Sequence, residues 1–235
     1  MPSPCRRPRP RFAAVALAAV LFALAASAAR ADMVLSEVIV DFGNGDAQIQ
    51  DVEVGNEGTD TLYIRTTPYR VIDPGAPSER REQIVDPSSA GLVVSPERFI
   101  LQPGERRLIR FVLAQPPSAE ERVYRVDVRP QVGRVEGEAT GVKILIAYEM
   151  LVIVRPADPQ VAIDVSRQGD RLVASNRGNT SVLLSPIEQC RTEGDCDRLA
   201  GVRVYPGRTE QIALPRAAPV SVYHAAGDRN WRETY

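Results

Sequence analysis

Few residues in this sequence are equipped for acid–base, nucleophilic or metal chemistry. One histidine, His224, stands in Val222-Tyr223-His224 near the C-terminus. Activating a nucleophile takes a base with an oriented partner, and His224 has none that its neighbourhood in sequence reveals. Gly-x-Ser-x-Gly, a glycine-rich phosphate loop and a His/Asp/Glu metal constellation are all missing. Paired acids occur at Glu120-Glu121 and at Asp51/Glu53, the residue type used for general acid–base work. On a chain this rich in short β-patterned segments they read as solvated strand faces or loop edges. The sequence therefore predicts neither an enzyme nor a bound cofactor.

Two cysteines, Cys190 and Cys196, flank a polar, Gly-containing stretch, Arg191-Thr192-Glu193-Gly194-Asp195. In an oxidising compartment an isolated pair at this spacing reads as one local disulfide. A structural zinc site would need further ligands, and the single histidine is far along the chain.

The start of the chain indicates such a compartment. Cys5-Arg6-Arg7-Pro8-Arg9 precedes an apolar run from Phe12 to Ala26, and Ala29-Arg30-Ala31 then supplies a small-x-small pattern before Asp32. This is read as a secretory signal over residues 1–31, cleaved after Ala31, in preference to a membrane anchor, because the run is short and Ala-heavy. The third cysteine, Cys5, leaves with it. No later segment reaches the ~18–20 apolar residues of a membrane span. The whole chain of 235 residues carries a formal charge of −1, but residues 1–31 hold five arginines and no acid, so the rest carries about −6. An acidic mature chain lacks the basic clusters that neutralise phosphates, which excludes a nucleic-acid partner.

Hydrophobic residues make up 44% of the chain and aromatics only 6%, with 19 Pro and 16 Gly to punctuate it. Val34–Val40, Ala47–Val54, Thr61–Thr67, Arg107–Leu113 and Val123–Val132 alternate or run apolar between turn signals such as Gly43-Asn44-Gly45, Asn56-Glu57-Gly58 and Pro103-Gly104. Strands spaced by about 8–12 residues, with no sustained helical period, predict an all-β fold of antiparallel sandwiches. Residues 73–91, charged and Pro-containing, read as a long surface loop. Arg155-Pro156-Ala157-Asp158-Pro159 stops a ladder and marks a linker. The expected domains are 32–155 and 156–235, and a shared Pro-Gly turn, Pro103-Gly104 and Pro206-Gly207, hints that the two folds are related.

One run is too long for its sandwich. Val142 to Val154 is thirteen residues, about 44 Å if fully extended. Val142, Ile144 and Ile146 share one face by the two-residue period. Two readings stand: a central core strand, or a strand whose first half lies at an edge and offers apolar side chains to another chain.

The stretch Gly91-Leu92-Val93-Val94-Ser95-Pro96-Glu97-Arg98-Phe99-Ile100-Leu101-Gln102-Pro103-Gly104-Glu105, followed by Ile109-Arg110, resembles the first-domain motif of periplasmic pilus-assembly chaperones, the PapD-like family. Glu121-Arg122-Val123-Tyr124-Arg125-Val126-Asp127-Val128, the long strand ending Val154-Arg155-Pro156, Leu172–Asn176 and Pro206-Gly207 follow in the family's order. The resemblance implies two immunoglobulin-like β-sandwich domains set at an angle, and a partner that is a pilus or fimbrial subunit with an outer-membrane usher beyond it. The chaperone lends a strand to a subunit that lacks one, and the donor positions fall on Val142, Ile144 and Ile146. A buried charged trio between the domains maps to Glu121, Arg155 and Asp228. The family also grips the subunit's C-terminal carboxylate with two basic residues, whose positions here are Glu37 and Leu151. No Lys or Arg lies between Asp32 and Ile64 or between Ile144 and Val154, so that anchor is not retained. The expected function is a periplasmic, strand-donating subunit chaperone. The alternative is an envelope adaptor or structural protein of the same fold that donates no strand.

Overall fold

Alternation along the chain becomes two sandwiches in the computed structural model, which describes residues 32–43, 48–131, 145–192 and 194–235. The first sandwich is built from β1 (Met33–Leu35), β2 (Ile39–Phe42), β3 (Ile49–Asn56), β4 (Leu62–Ile72) and β5 (Arg80–Gln83), then β6 (Leu92–Ser95), β7 (Arg98–Leu101), β8 (Arg106–Leu113), β9 (Arg122–Gln131) and β10 (Tyr148–Val154). One sheet runs β1-β3-β8-β6; the other runs β2-β10-β9-β4-β5, with β7 also on β4. All pairings are antiparallel except β2 with β10, which is parallel.

The two-residue period explains the packing. Val52 and Val54 of β3 and Ile109 and Phe111 of β8 meet Tyr124, Val126 and Val128 of β9 and Met150, Val152 and Val154 of β10 in one buried core. Intervening residues face outward, so Asp51 on β3 reaches Arg110 on β8, with 2.7 Å between Oδ2 and Nη2.

Residues 163–234 form the second sandwich from β11 (Ile163–Gln168), β12 (Arg171–Asn176), β13 (Val182–Thr192), β14 (Asp195–Leu199), β15 (Val202–Val204), β16 (Thr209–Ala213), β17 (Val220–Ala226) and β18 (Arg229–Thr234). Its sheets are β11-β12-β16 and β14-β13-β17-β18, with β15 also on β13. Leu172, Ala174, Val182, Leu184, Ile187, Val204, Val220 and Val222 make a separate core. Cys190 and Cys196 face each other across β13 and β14 and are bonded. Among the described residues no helix is long and apolar enough to cross a membrane.

A buried asparagine ties the Pro-Gly turn in each sandwich. Asn56 Nδ2 donates to the carbonyls of Asp60 (2.7 Å) and Leu101 (3.0 Å), and its Oδ1 accepts from the Gly58 amide. Asn176 repeats this, donating to Thr180 (2.8 Å) and Val204 (2.9 Å) and accepting from Gly178. Gly104 and Gly207, both at positive φ, donate their amides back to the carbonyls of Asn56 and Asn176. The Pro-Gly turns are thus half of a longer matched pattern, Asn-x-Gly followed by Pro-Gly.

Two expectations change. Residues 73–91 are not a bare loop: Arg80–Gln83 pairs with the end of β4, and Pro87–Ala90 makes one turn of helix, α1. The strand expected from Val142 begins, among the described residues, at Tyr148. Its ladder to β9 ends where Tyr148 faces Val128. Continued, it would set Ile146 opposite Pro130, which has no N–H to contribute. Val142 and Ile144 lie outside the described residues.

Candidate functional site

The chain crosses between sheets early, and that leaves an edge open. β1 belongs to the sheet of β3, but after Ser36–Val38 the chain joins the other sheet as β2. β2 then covers β10 from Leu151 to Val154, with the Leu151 amide also donating to the Val38 carbonyl at 2.9 Å. Over Tyr148, Glu149 and Met150 the outer edge of β10 carries no strand among the described residues. Tyr148 Oη donates to the Met33 carbonyl at 3.0 Å and fixes the strand beside β1. Val38, Ile39 and Ile146 stand 42–48% exposed along this margin. An uncovered edge lined by apolar side chains is a template for another strand.

Below this edge Arg155 ends β10 and collects a buried cluster. The residue is only 3% exposed. Its Nε and Nη2 donate to Asp41 (3.0 and 2.7 Å), and its Nη1 donates to Glu121 Oε2 (3.2 Å), Thr180 Oγ1 (2.8 Å) and the Ser181 carbonyl (2.7 Å). Glu121 Oε2 also accepts from Thr180 Oγ1 and the Ser181 amide. Burial opposes the charge on Arg155, but hydrogen bonds and charge from Asp41 and Glu121 outweigh it and hold the guanidinium above its ordinary range. Each of the three guanidinium nitrogens has an acceptor, which helps a buried cation to be tolerated.

This corrects the expected trio. Asp228, in the turn between β17 and β18, makes no ion pair with Arg155 among the described residues; Asp41 of β2 takes that place. All three charges thus sit on the first sandwich, and the second contributes the neutral groups of Thr180 and Ser181. Glu121, read as one of a pair of loop-edge acids, is buried, with its side chain 1% exposed.

The two positions where the related family carries basic residues are occupied differently. Glu37 is exposed, between β1 and β2. Leu151 is buried in an apolar cluster with Val71, Val123 and Ile153, which Tyr205 of the second sandwich joins. Higher on the same face, Glu149 makes hydrogen bonds to both Nη atoms of Arg81 and lies 3.7 Å from Nε of Arg125.

Asp41, Thr180, Ser181 and Tyr205 escaped the reading of the sequence. Tyr205 carried a signal, since it immediately precedes the Pro206-Gly207 turn. Asp41 carried none, because its partner is 114 residues away.

Comparison with known proteins adds to this geometry. The family profile "Pili and flagellar-assembly chaperone, PapD N-terminal domain" matches residues 32–160. The chain is 25% identical over 193 residues to a CFA/I fimbrial protein of Escherichia coli, covering 77% of this chain and 79% of that one. Its fold is similar to the class 5 fimbriae chaperone CfaA, with TM-score 0.59 and 22% identity over 86% of this chain and 98% of the other. It is also similar to a chain of the Salmonella enterica SafA pilin–SafB chaperone complex, with TM-score 0.63 and 14% identity over 89% of this chain and 99% of that chain.

Proposed function

Because this chain belongs to the pili and flagellar-assembly chaperones, we propose that it is exported to the periplasm, loses residues 1–31, and holds fimbrial subunits by adding a strand to them before assembly. The observation that carries this reading is the uncovered outer edge of β10 at Tyr148–Met150, continued by the exposed Ile146. A subunit strand laid there would pair with backbone groups that have no strand neighbour among the described residues. Apolar side chains leading into β10 would fill a cleft in the subunit's own core, with Val142 and Ile144 joining Ile146 by the two-residue period. Backbone pairing supplies affinity without demanding one subunit sequence, and the side chains set the register.

The test is co-purification from the periplasm with candidate fimbrial subunits, comparing wild type with Ile146→Asp and Ile144→Asp. A carboxylate at a position buried in the complex is costly to desolvate, so subunit yield falls by at least about tenfold. Yield unchanged by both substitutions rejects strand addition and leaves an adaptor of the same fold as the better account.

A further inference from the structure

The sequence holds one histidine and one tryptophan, and folding stacks them on each other at the edge of the second sandwich. There β18 closes its sheet and pairs only with β17. Trp231 of β18 and Tyr235 just after it are the side chains that this edge lends to the second core. Both meet His224 of β17. The imidazole lies on the Trp231 indole with the planes 11° apart, and its Nε2 is 3.4 Å from Tyr235 Oη. On the outer face the edge is tied by Arg232, which donates to Ser221 and Tyr223 and lies over the Tyr223 ring.

His224 occupies this place as a neutral ring. Tyr235 Oη gives its own proton to Glu233, so the Tyr235 oxygen is left to accept from Nε2–H. A second proton on the ring must then land on Nδ1, which is buried and has no hydrogen-bond partner among the described residues. The charge of Glu233 and the Val222 and Trp231 carbonyls favour that proton, but burial outweighs them and lowers the pKa. Other neighbours bring little charge. Leu184 of β13 stands opposite His224, and the facing sheet turns Ile163, Val165, Leu172 and Ala174 into the same core. At the rim, Asp164 acts on Tyr235, and Arg229 lies 5.8 Å over the Trp231 ring. An imidazolium here is desolvated without a partner of its own, and the indole face offsets only part of the cost. The penalty falls on the Trp231 and Tyr235 contacts, which are the ones that hold β18 inward.

We propose that β18 is an acid-released strand and His224 its trigger: one proton on the imidazole frees β18 from β17 while the rest of the second sandwich stays folded. β18 opens first because it has one neighbouring strand and, Trp231 apart, only exposed side chains. The neutral ring's contribution is complete above about pH 6.5 and is lost as pH falls, so the strand is closed at neutral pH and open in acid. Gly227-Asp228-Arg229, the turn joining β17 to β18, lines the cavity that Asp41, Arg155 and Thr180 also line, so release reaches the cleft between the sandwiches.

The test uses the untagged protein, whose single histidine and single tryptophan give unambiguous signals. Proton NMR of the imidazole follows His224, fluorescence follows Trp231, and amide hydrogen exchange corrected for intrinsic rates follows each strand, between about pH 7.5 and 5. The imidazole titrates below about pH 6.5, and Trp231 emission changes with the same midpoint. Protection of the amides between β17 and β18 falls at least about tenfold over that range, while β12 and β16 keep theirs. In His224→Phe, which keeps a ring that takes no proton, β18 protection no longer depends on pH; His224→Gln serves if that variant does not fold. An imidazole midpoint at or above about 6.5, or β18 protection unchanged across the titration, overturns the proposal. Equal loss in every strand also overturns it, because the opening is then global. The same loss of β18 protection in the substituted protein removes His224 as the trigger. If neither variant folds, agreement or disagreement of the imidazole and exchange midpoints in wild type decides.

Discussion

Arg155 illustrates how much a single buried side chain can organise. Its three nitrogens reach two carboxylates, a hydroxyl and a carbonyl, drawn from β2, the segment before β9 and the segment before β13. His224 is the opposite case. It is 1% exposed, stacks on Trp231 with ring centroids 4.7 Å apart, and has no hydrogen-bond partner for Nδ1 among the described residues. Burial lowers its pKa, with Glu233 opposing in part. The unfolded chain takes up a proton near pH ~6.5, whereas the folded chain resists it until lower pH. Stability from the neutral imidazole is therefore complete above about pH 6.5 and is lost as pH falls below it. The thermal midpoint of wild type should fall between about pH 7.5 and 5.5, and the fall should shrink in His224→Gln. An equal fall in both proteins would place the acid sensitivity on other groups. The sequence showed His224 to be alone among residues of its type; it could not show the stacking, which depends on β17 pairing with β18.

Elements are held in place by turns as much as by ladders. Asn56 and Asn176 each bond two carbonyls and one glycine amide, and so lock the end of one strand to the Pro-Gly turn of another. Replacing either by alanine removes those bonds, and with them the partner of the buried Leu101 or Val204 carbonyl. At ~1–3 kcal/mol for each buried unsatisfied group, Asn56→Ala or Asn176→Ala should cost about 2–4 kcal/mol. Urea denaturation measures this, and a loss below about 0.5 kcal/mol would mean that water replaces the amide. Both Pro-Gly turns were legible in the sequence, and so was the Asn-x-Gly before each. What joins them is strand order, which brings β3 beside β8 and β12 beside β16. The same dependence explains β10. Alternation marked the strand, but its start follows from what β9 presents opposite it.

At the scale of the whole molecule, two cores are joined by a third, smaller cluster. Tyr205, 7% exposed, is the second sandwich's contribution to it. Around it, Asn179 Nδ2 donates to the Ala119 carbonyl (3.0 Å) and Arg208 Nε to the Pro74 carbonyl (3.3 Å). An apolar contact supplies free energy without direction, while the Arg155 cluster supplies direction with little net free energy. Tyr205→Ala should therefore cost about 3 kcal/mol, as large-to-small changes at buried aromatics do. It should also split one unfolding transition into two when circular dichroism is followed against urea. A single transition retained in that variant would assign the coupling to Arg155 and its partners.

The sequence by itself determined the parts that depend on local spacing. These are the all-β architecture from the period-two pattern, two sandwiches from the proline-rich link, the cysteine pair, and the place of Glu121 and Arg155 beside strand ends. It also showed that positions 37 and 151 hold no basic residue. Only the tertiary structure decided which groups separated by tens of residues share a space: Asp41 rather than Asp228 on Arg155, and Tyr205 in one apolar cluster with Leu151. The reason is physical. A strand's pattern says which face is buried, but the neighbour met on that face is set by strand order and by how two sandwiches abut, and neither is encoded within the strand.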